Sequence, residues 1–335
     1  MKISQRLTRL AGRAALGGAF ALAAGTAANA SLVEFKTYNG NVALSTDGWG
    51  GNAASAAITA NAPSGSKVIA AYLYTATFSD NSAPTTVTLN GTSVSYSQTT
   101  INGSQTYLAS HRADVTSIVK PVIDGGAGGA YDFTIAEGGR NSTIDGSALV
   151  VVYENAALPD ASVGILDGFA SVTGDTTSIN FSEPLDPTEA GFFAEMRLGI
   201  GFSFPPQAST VTVNGTLISQ TAGGFDDGAG FNGGLITVGG DDDPFSALLP
   251  AYGDDHERYD LKNYIASGSK TIKVDTVNAT RDDNVFLAAF YVSGKAGFNE
   301  PPPDGGPAPI PLPAAGWLLG GALVGLAGMR RRQRG

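Results

Sequence analysis

The strongest constraint on the fold is an ordered internal duplication. VTLNGTSV at residues 87–94 returns as VTVNGTLI at 211–218. Each copy is an alternating strand, an Asn-Gly pair and a second strand, and Asn-Gly accepts the positive φ angles that a type I′ hairpin requires. An apolar run precedes each hairpin, at 68–78 and at 192–204. Further on, Arg112-Ala113-Asp114 is matched by Arg258-Tyr259-Asp260, and an alternating strand at 131–136 by another at 271–277. Last comes an apolar run ending in tyrosine, 148–153 in the first copy and 285–291 in the second. The preserved order predicts two domains of one fold, residues 31–157 and 158–297.

Alternating strands imply one buried face, whereas the uninterrupted runs at 148–153 and 285–291 imply central strands covered on both sides. The 45 glycines suit tight turns, and no long amphipathic period points to helices. The expected class is all-β: two tandem antiparallel β-sandwiches, jelly-roll or immunoglobulin-like. One helical turn is expected after each of Asp114 and Asp260, with the aspartate as N-cap.

Charge separates the body from its ends. The net charge of −10 includes Lys2, Arg6, Arg9 and Arg13 near the start and Arg330, Arg331, Arg332 and Arg334 at the finish. Between them lie 12 basic and 30 acidic side chains, a net of −18. Such a body repels nucleic acid and attracts cations, so nucleic-acid binding is set aside. There is no cysteine, which removes thiolate chemistry, cysteine-ligated metals and disulfides.

Residues 1–30 have the three parts of a signal peptide: a basic start, an apolar stretch and Ala28-Asn29-Ala30 before Ser31. The segment is expected to deliver the chain to the secretion machinery and to be cleaved between Ala30 and Ser31. A Pro/Gly-rich linker follows the body at 298–309, and residues 314–329 are uncharged and largely apolar. Sixteen helical residues reach about 24 Å, short of a hydrocarbon core of roughly 30 Å, so the transmembrane helix is marginal. The arginines beyond it act as a stop-transfer signal that stays cytoplasmic.

Ile310-Pro311-Leu312-Pro313-Ala314, a short apolar helix, then Arg330-Arg331-Arg332 resembles the VPLPA variety of PEP-CTERM sorting signal, with Ile310 in place of Val. The resemblance covers residues 310–335. It implies a Gram-negative bacterium, an exosortase that cuts or transfers the protein near the proline motif, and residence at the cell surface, in exopolysaccharide or in biofilm matrix. The order AYLY at 71–74, ADVTSIV at 113–119 and GSALVVVYE at 146–154 loosely resembles bacterial and archaeal surface domains of unknown function, a likeness that brings no catalytic motif.

Catalytic templates fail in turn. There is no G-x-S-x-G elbow, H-E-x-x-H, Walker loop or dinucleotide fingerprint. The two histidines, His111 and His256, precede the duplicated Arg-x-Asp elements, which favours a structural role. The Arg and Asp of each element are expected to brace the next turn. The acidic loops hold the remaining candidates: Asp226, Asp227, Asp241, Asp242 and Asp243, with Asp254-Asp255 and Asp282-Asp283 nearby. Calcium takes six to eight oxygens from carboxylates and carbonyls, and Gly-rich loops turn carbonyls inward. Solvated acidic loops that keep the chain soluble are the plainer reading, and calcium is the candidate cofactor. The functional expectation is a non-enzymatic, exported, structural or adhesive protein of the exopolysaccharide layer, with a carbohydrate-binding module or a polysaccharide-acting enzyme as alternatives.

Overall fold

The computed structural model describes residues 31–302 apart from 52, 80, 139–142, 172, 203–208, 225–226, 228–234 and 279–283. The expected signal peptide, sorting motif and terminal helix lie outside the described residues. Among the described residues no helix is long and apolar enough to cross a membrane, which says nothing of membrane β-barrels.

The molecule is mostly β, and every strand pair is antiparallel. The first half runs β1 (Val33–Gly40), β2 (Val42–Trp49), β3 (Ser55–Ala62), β4 (Lys67–Phe78), β5 (Thr88–Leu89), β6 (Thr92–Ser93), β7 (Gln98–Ile101) and β8 (Leu108–Asp114). It continues through α1 (Thr116–Asp124), β9 (Gly129–Ala136) and β10 (Ile144–Glu154). The second half runs β11 (Ala161–Asp167), β12 (Asp175–Phe181), β13 (Ala194–Gly201), β14 (Ser209–Val213), β15 (Thr216–Ala222) and β16 (Thr237–Val238). It ends with β17 (Arg258–Asp260), a 3-10 turn at Lys262–Tyr264, β18 (Thr271–Val277), β19 (Asn284–Ser293) and β20 (Ala296–Phe298).

Sheet order repeats between the halves. One sheet of the first half is ordered β2-β10-β4-β8-β7, and in the second half β11-β19-β13 continues into β17 and β16. The other sheets are β3-β9-β5-β6 and β12-β18-β14-β15. The duplicated hairpins hold the expected turn: Asn90 and Gly91 have φ of 49° and 72°, Asn214 and Gly215 have 48° and 83°. Each Asn also accepts a backbone N–H from the next strand of its sheet, Thr134 at 2.7 Å and Lys273 at 2.9 Å.

Two strands depart from a simple division at residue 157. β1 pairs with β11 over Val33–Gly40, so the first strand completes a sheet of the second half, one residue before β2 enters the first. β20 pairs with β12, and Phe298, the first residue of the segment expected as linker, is fully buried. Both additions cover what would otherwise be bare sheet edges.

Three apolar layers separate the four sheets. Ile58, Leu73, Leu89, Phe133, Leu149 and Val151 fill the first half, where α1 adds Val119 and Ile123. Leu198, Ile200, Val211, Ile272, Phe290 and Phe298 fill the second. The third layer joins the halves: Tyr74, Val150 and Val152 meet Val163, Ile165, Phe286 and Leu287. This accounts for the uninterrupted apolar runs, since β10 and β19 are covered on one face by their own half and on the other by the partner half. Gly146 of β10 lies where a Cβ would collide with the Ile236 side chain, so glycine permits this close approach.

The expected aspartate N-caps are displaced by one residue. The caps are Val115 and Leu261, because the chain is still extended at Asp114 and Asp260. The aspartates nonetheless hold the first turns, accepting from Thr116 N and Lys262 N, each at 2.9 Å.

Candidate functional site

Three of the acidic residues singled out in sequence, Asp227, Asp242 and Asp243, gather at one rim of the junction between the halves. Asp47 on β2 is joined there by Asp227, Asp242 and Asp243 from the loops flanking β16. Around Gly240, where a Cβ would stand, Asp242 Oδ1 lies at 2.6 Å, Asp243 Oδ2 at 3.2 Å and Asp47 Oδ1 at 3.4 Å. Asp47 accepts from Gly48 N at 2.8 Å and Thr59 N at 2.5 Å, which ties β2 to the outer strand β3. Asp227 accepts from Val238 N at 2.5 Å, and its carbonyl accepts from Gly50 N of the first half at 2.5 Å. Asp226, Asp282 and Asp283 lie outside the described residues.

Burial and mutual repulsion raise the affinity of these carboxyls for protons. Asp47 is pushed up to about 7, by burial first and by the charges of Asp242 and Asp243 in addition. Burial raises Asp227 well above the carboxylate range, with Asp243, Asp47 and Asp242 adding to it. Asp243 is raised by burial and by Asp242, while His256, whose Nδ1 lies 3.3 Å from Asp243 Oδ1, opposes the shift. Among the described residues no group of three or more His, Asp or Glu side chains is arranged to hold a metal ion.

Asp241 does something different from its neighbours. It receives Arg197 Nη1 at 2.6 Å and Ser45 Oγ at 2.6 Å, and its N–H donates to the Thr46 carbonyl at 3.0 Å. Arg197, only 4 % exposed, also donates to Thr46 Oγ1 at 3.0 Å and to Glu195 Oε2 at 3.1 Å. Arg258 Nη2 lies 3.6 Å from the same Glu195 oxygen, and its Nη1 donates to the Asp243 carbonyl at 2.9 Å. This buried ion network locks β13 and the 240–243 loop onto β2.

In the duplicated Arg-x-Asp elements the aspartates brace the next turn, as expected, but the arginines reach elsewhere. Arg112 pairs with Asp167 across the junction and stacks on Phe35, its Cζ 3.4 Å from the ring centroid. Arg258 reaches the 240–243 loop and lies over Phe245. The histidines are held by structural partners. His111 is fully buried, with Nε2 2.9 Å from Thr77 Oγ1 and Nδ1 2.9 Å from Thr99 Oγ1. Asp255 and Glu257, also fully buried, are satisfied by their surroundings: Asp255 receives Thr221, Ser246 and Tyr259 hydroxyls, and Glu257 receives Gly223 N at 2.6 Å.

Sequence reasoning missed Asp47, Arg197 and Glu195. The signal was faint but present: Asp47-Gly48-Trp49 and Asp167-Gly168-Phe169 are echoes at equivalent strand ends, and both aspartates meet the other half.

No family model matches the chain, and no curated protein does. Among solved structures, the chain is similar to BuGH86 in its crystal complex with neoagarooctaose, at 10% identity and a TM-score of 0.24. The match covers 78% of this chain and 34% of that one, and a superposition so loose carries no argument about fold or activity.

Proposed function

We propose that this is an exported cell-surface or extracellular-matrix protein, two duplicated β-sandwiches delivered by a C-terminal exosortase signal to a structural or adhesive place in the exopolysaccharide layer. The observation that carries the reading is the tripartite tail: Ile310-Pro311-Leu312-Pro313-Ala314, an apolar segment, and Arg330-Arg331-Arg332, paired with a signal peptide ending at Ala30. Support comes from the body, where the repeated sheet order gives two similar units and the ionisable groups at the junction are engaged with one another. A protein that works by being present and rigid needs a buried junction of this kind.

The test is the intact mass of the mature protein from the native strain and from one lacking its exosortase. The expected species begins at Ser31 and ends within the 310–314 motif in the native strain only. A chain continuing to Gly335 in both strains overturns the sorting reading. Carbohydrate binding is the second reading, favoured by a cleft at the junction.

A further inference from the structure

We infer that the cleft between the ends of the two central sheets, bordered by Tyr153, Tyr291, Arg197 and Asp241, is a binding site for a neutral saccharide. The inference deepens the matrix reading above and rests on its premise that the protein meets glycan outside the cell. The cleft has a volume of about 520 Å³, within the range of ligand sites, and both halves build it. Tyr153 and Asn61 come from the first half, and Tyr291, Arg197 and Asp241 from the second. It exists only while the halves are docked.

A sugar ring presents an apolar C–H face and a rim of hydroxyls that both donate and accept. Its receptor needs an apolar or aromatic platform beside fixed polar groups. The cleft supplies the first from Pro63 and the two tyrosines, with the Tyr291 ring backed by Phe193 at 4.4 Å between centroids. It supplies the second from groups already immobilised. Arg197 is held by Asp241, Thr46 and Glu195, and Asp241 is held in turn by Ser45. Groups fixed in advance lose little entropy when a ligand arrives. Neither the Tyr153 nor the Tyr291 hydroxyl has a hydrogen-bond partner among the described residues. Burial, and for Tyr291 the neighbouring Glu195 charge, keeps both phenols protonated and able to donate.

Charge selects the class of ligand. Arg197 and Arg258 face Glu195 and Asp241, so the wall is locally balanced. A uronate or phosphate finds no spare cation there, and an amine finds no spare carboxylate. A neutral polyol loses least on entering, because it asks for hydrogen bonds alone.

The experiment titrates the purified protein calorimetrically with neutral tetrasaccharides (cello-, laminari-, manno- and chito-series) and with tetragalacturonate. The expected result is saturable binding of at least one neutral probe and at least tenfold weaker binding of tetragalacturonate. Tyr291→Phe, which removes only the hydroxyl, and Asn61→Ala should each weaken that neutral probe about fivefold or more, with thermal unfolding unchanged. Asn155→Ala, at a different polar groove, should leave it as it was. No saturable neutral probe, or tetragalacturonate bound as tightly, overturns the saccharide class. Binding indifferent to both Tyr291→Phe and Asn61→Ala overturns the site while leaving the matrix reading intact. That reading falls instead on the mass of the mature chain.

Discussion

Asp175 ties the chain at Ser31 and Leu32 to the second half. Its Oδ2 accepts from Leu32 N at 3.1 Å and Ser171 N at 3.0 Å, and its Oδ1 from the Ser31 hydroxyl at 3.1 Å. If the chain begins at Ser31, the new α-ammonium stands on a residue already touching this carboxylate. In that chain Asp175→Ala is expected to lower stability by about 1–3 kcal/mol, since it strands backbone donors. Acetylating the Ser31 amine should weaken the parent protein and leave the variant unmoved. Urea unfolding of the four species measures both, and equal losses on acetylation would sink the ion pair. At this scale the sequence was readable in part. The clustered Asp241, Asp242 and Asp243 stood out by composition, whereas Asp47 and Arg197 did not. Part of their importance comes from distant groups, Asp242 and Asp243 for Asp47 and Thr46 and Asp241 for Arg197, which no local pattern encodes.

Among the elements, the Asn-Gly hairpins were the most legible because their chemistry is local: a positive φ at both turn positions admits few residues. The second hairpin also fixes its surroundings, with Asn214 Oδ1 accepting from Lys273 N at 2.9 Å and Nδ2 donating to the Tyr264 carbonyl at 2.9 Å. Asn214→Gly keeps the backbone angle and loses only those bonds. Asn214→Ala loses them and adds left-handed strain of about 1 kcal/mol. Chemical denaturation should therefore rank Asn above Gly above Ala at this position, with Ala about 1 kcal/mol below Gly; an Ala variant as stable as Gly would show that the turn relaxes. The allegiance of β1 was not legible. Residues 33–40 carry no local sign of their partner, because the edge they join belongs to β11, more than 120 residues later. The continuous runs of β10 and β19 did announce cover on both faces, without naming the cover, which is the other half of the molecule.

For the molecule as a whole, the acidic rim makes the union of the halves sensitive to pH. Asp47, at about 7, lies far above the value near 4 of an exposed carboxyl in the unfolded chain. Asp227, Asp243 and Glu257 are displaced in the same direction by burial, and Glu137, inside the first half, is pushed up to about 8. Between pH 4 and pH 8 the folded protein therefore holds more protons than the unfolded chain. Stability is then full on the acid side and falls as pH rises through the folded values. For Asp47 alone three units correspond to roughly 4 kcal/mol. Asp47→Asn separates this charge effect from the loss of structure. The amide oxygen can accept one of the two backbone bonds, from Gly48 or from Thr59, so the variant should be less stable by about 1 kcal/mol at pH 5. It carries no charge to bury, so its stability should decline less steeply with pH. Urea unfolding at half-unit steps from pH 5 to pH 8.5 should show the two curves converging and crossing near pH 6, with the variant the more stable above it. Parallel curves would mean that Asp47 titrates outside this range, and that the rim is held by its hydrogen bonds whatever its charge.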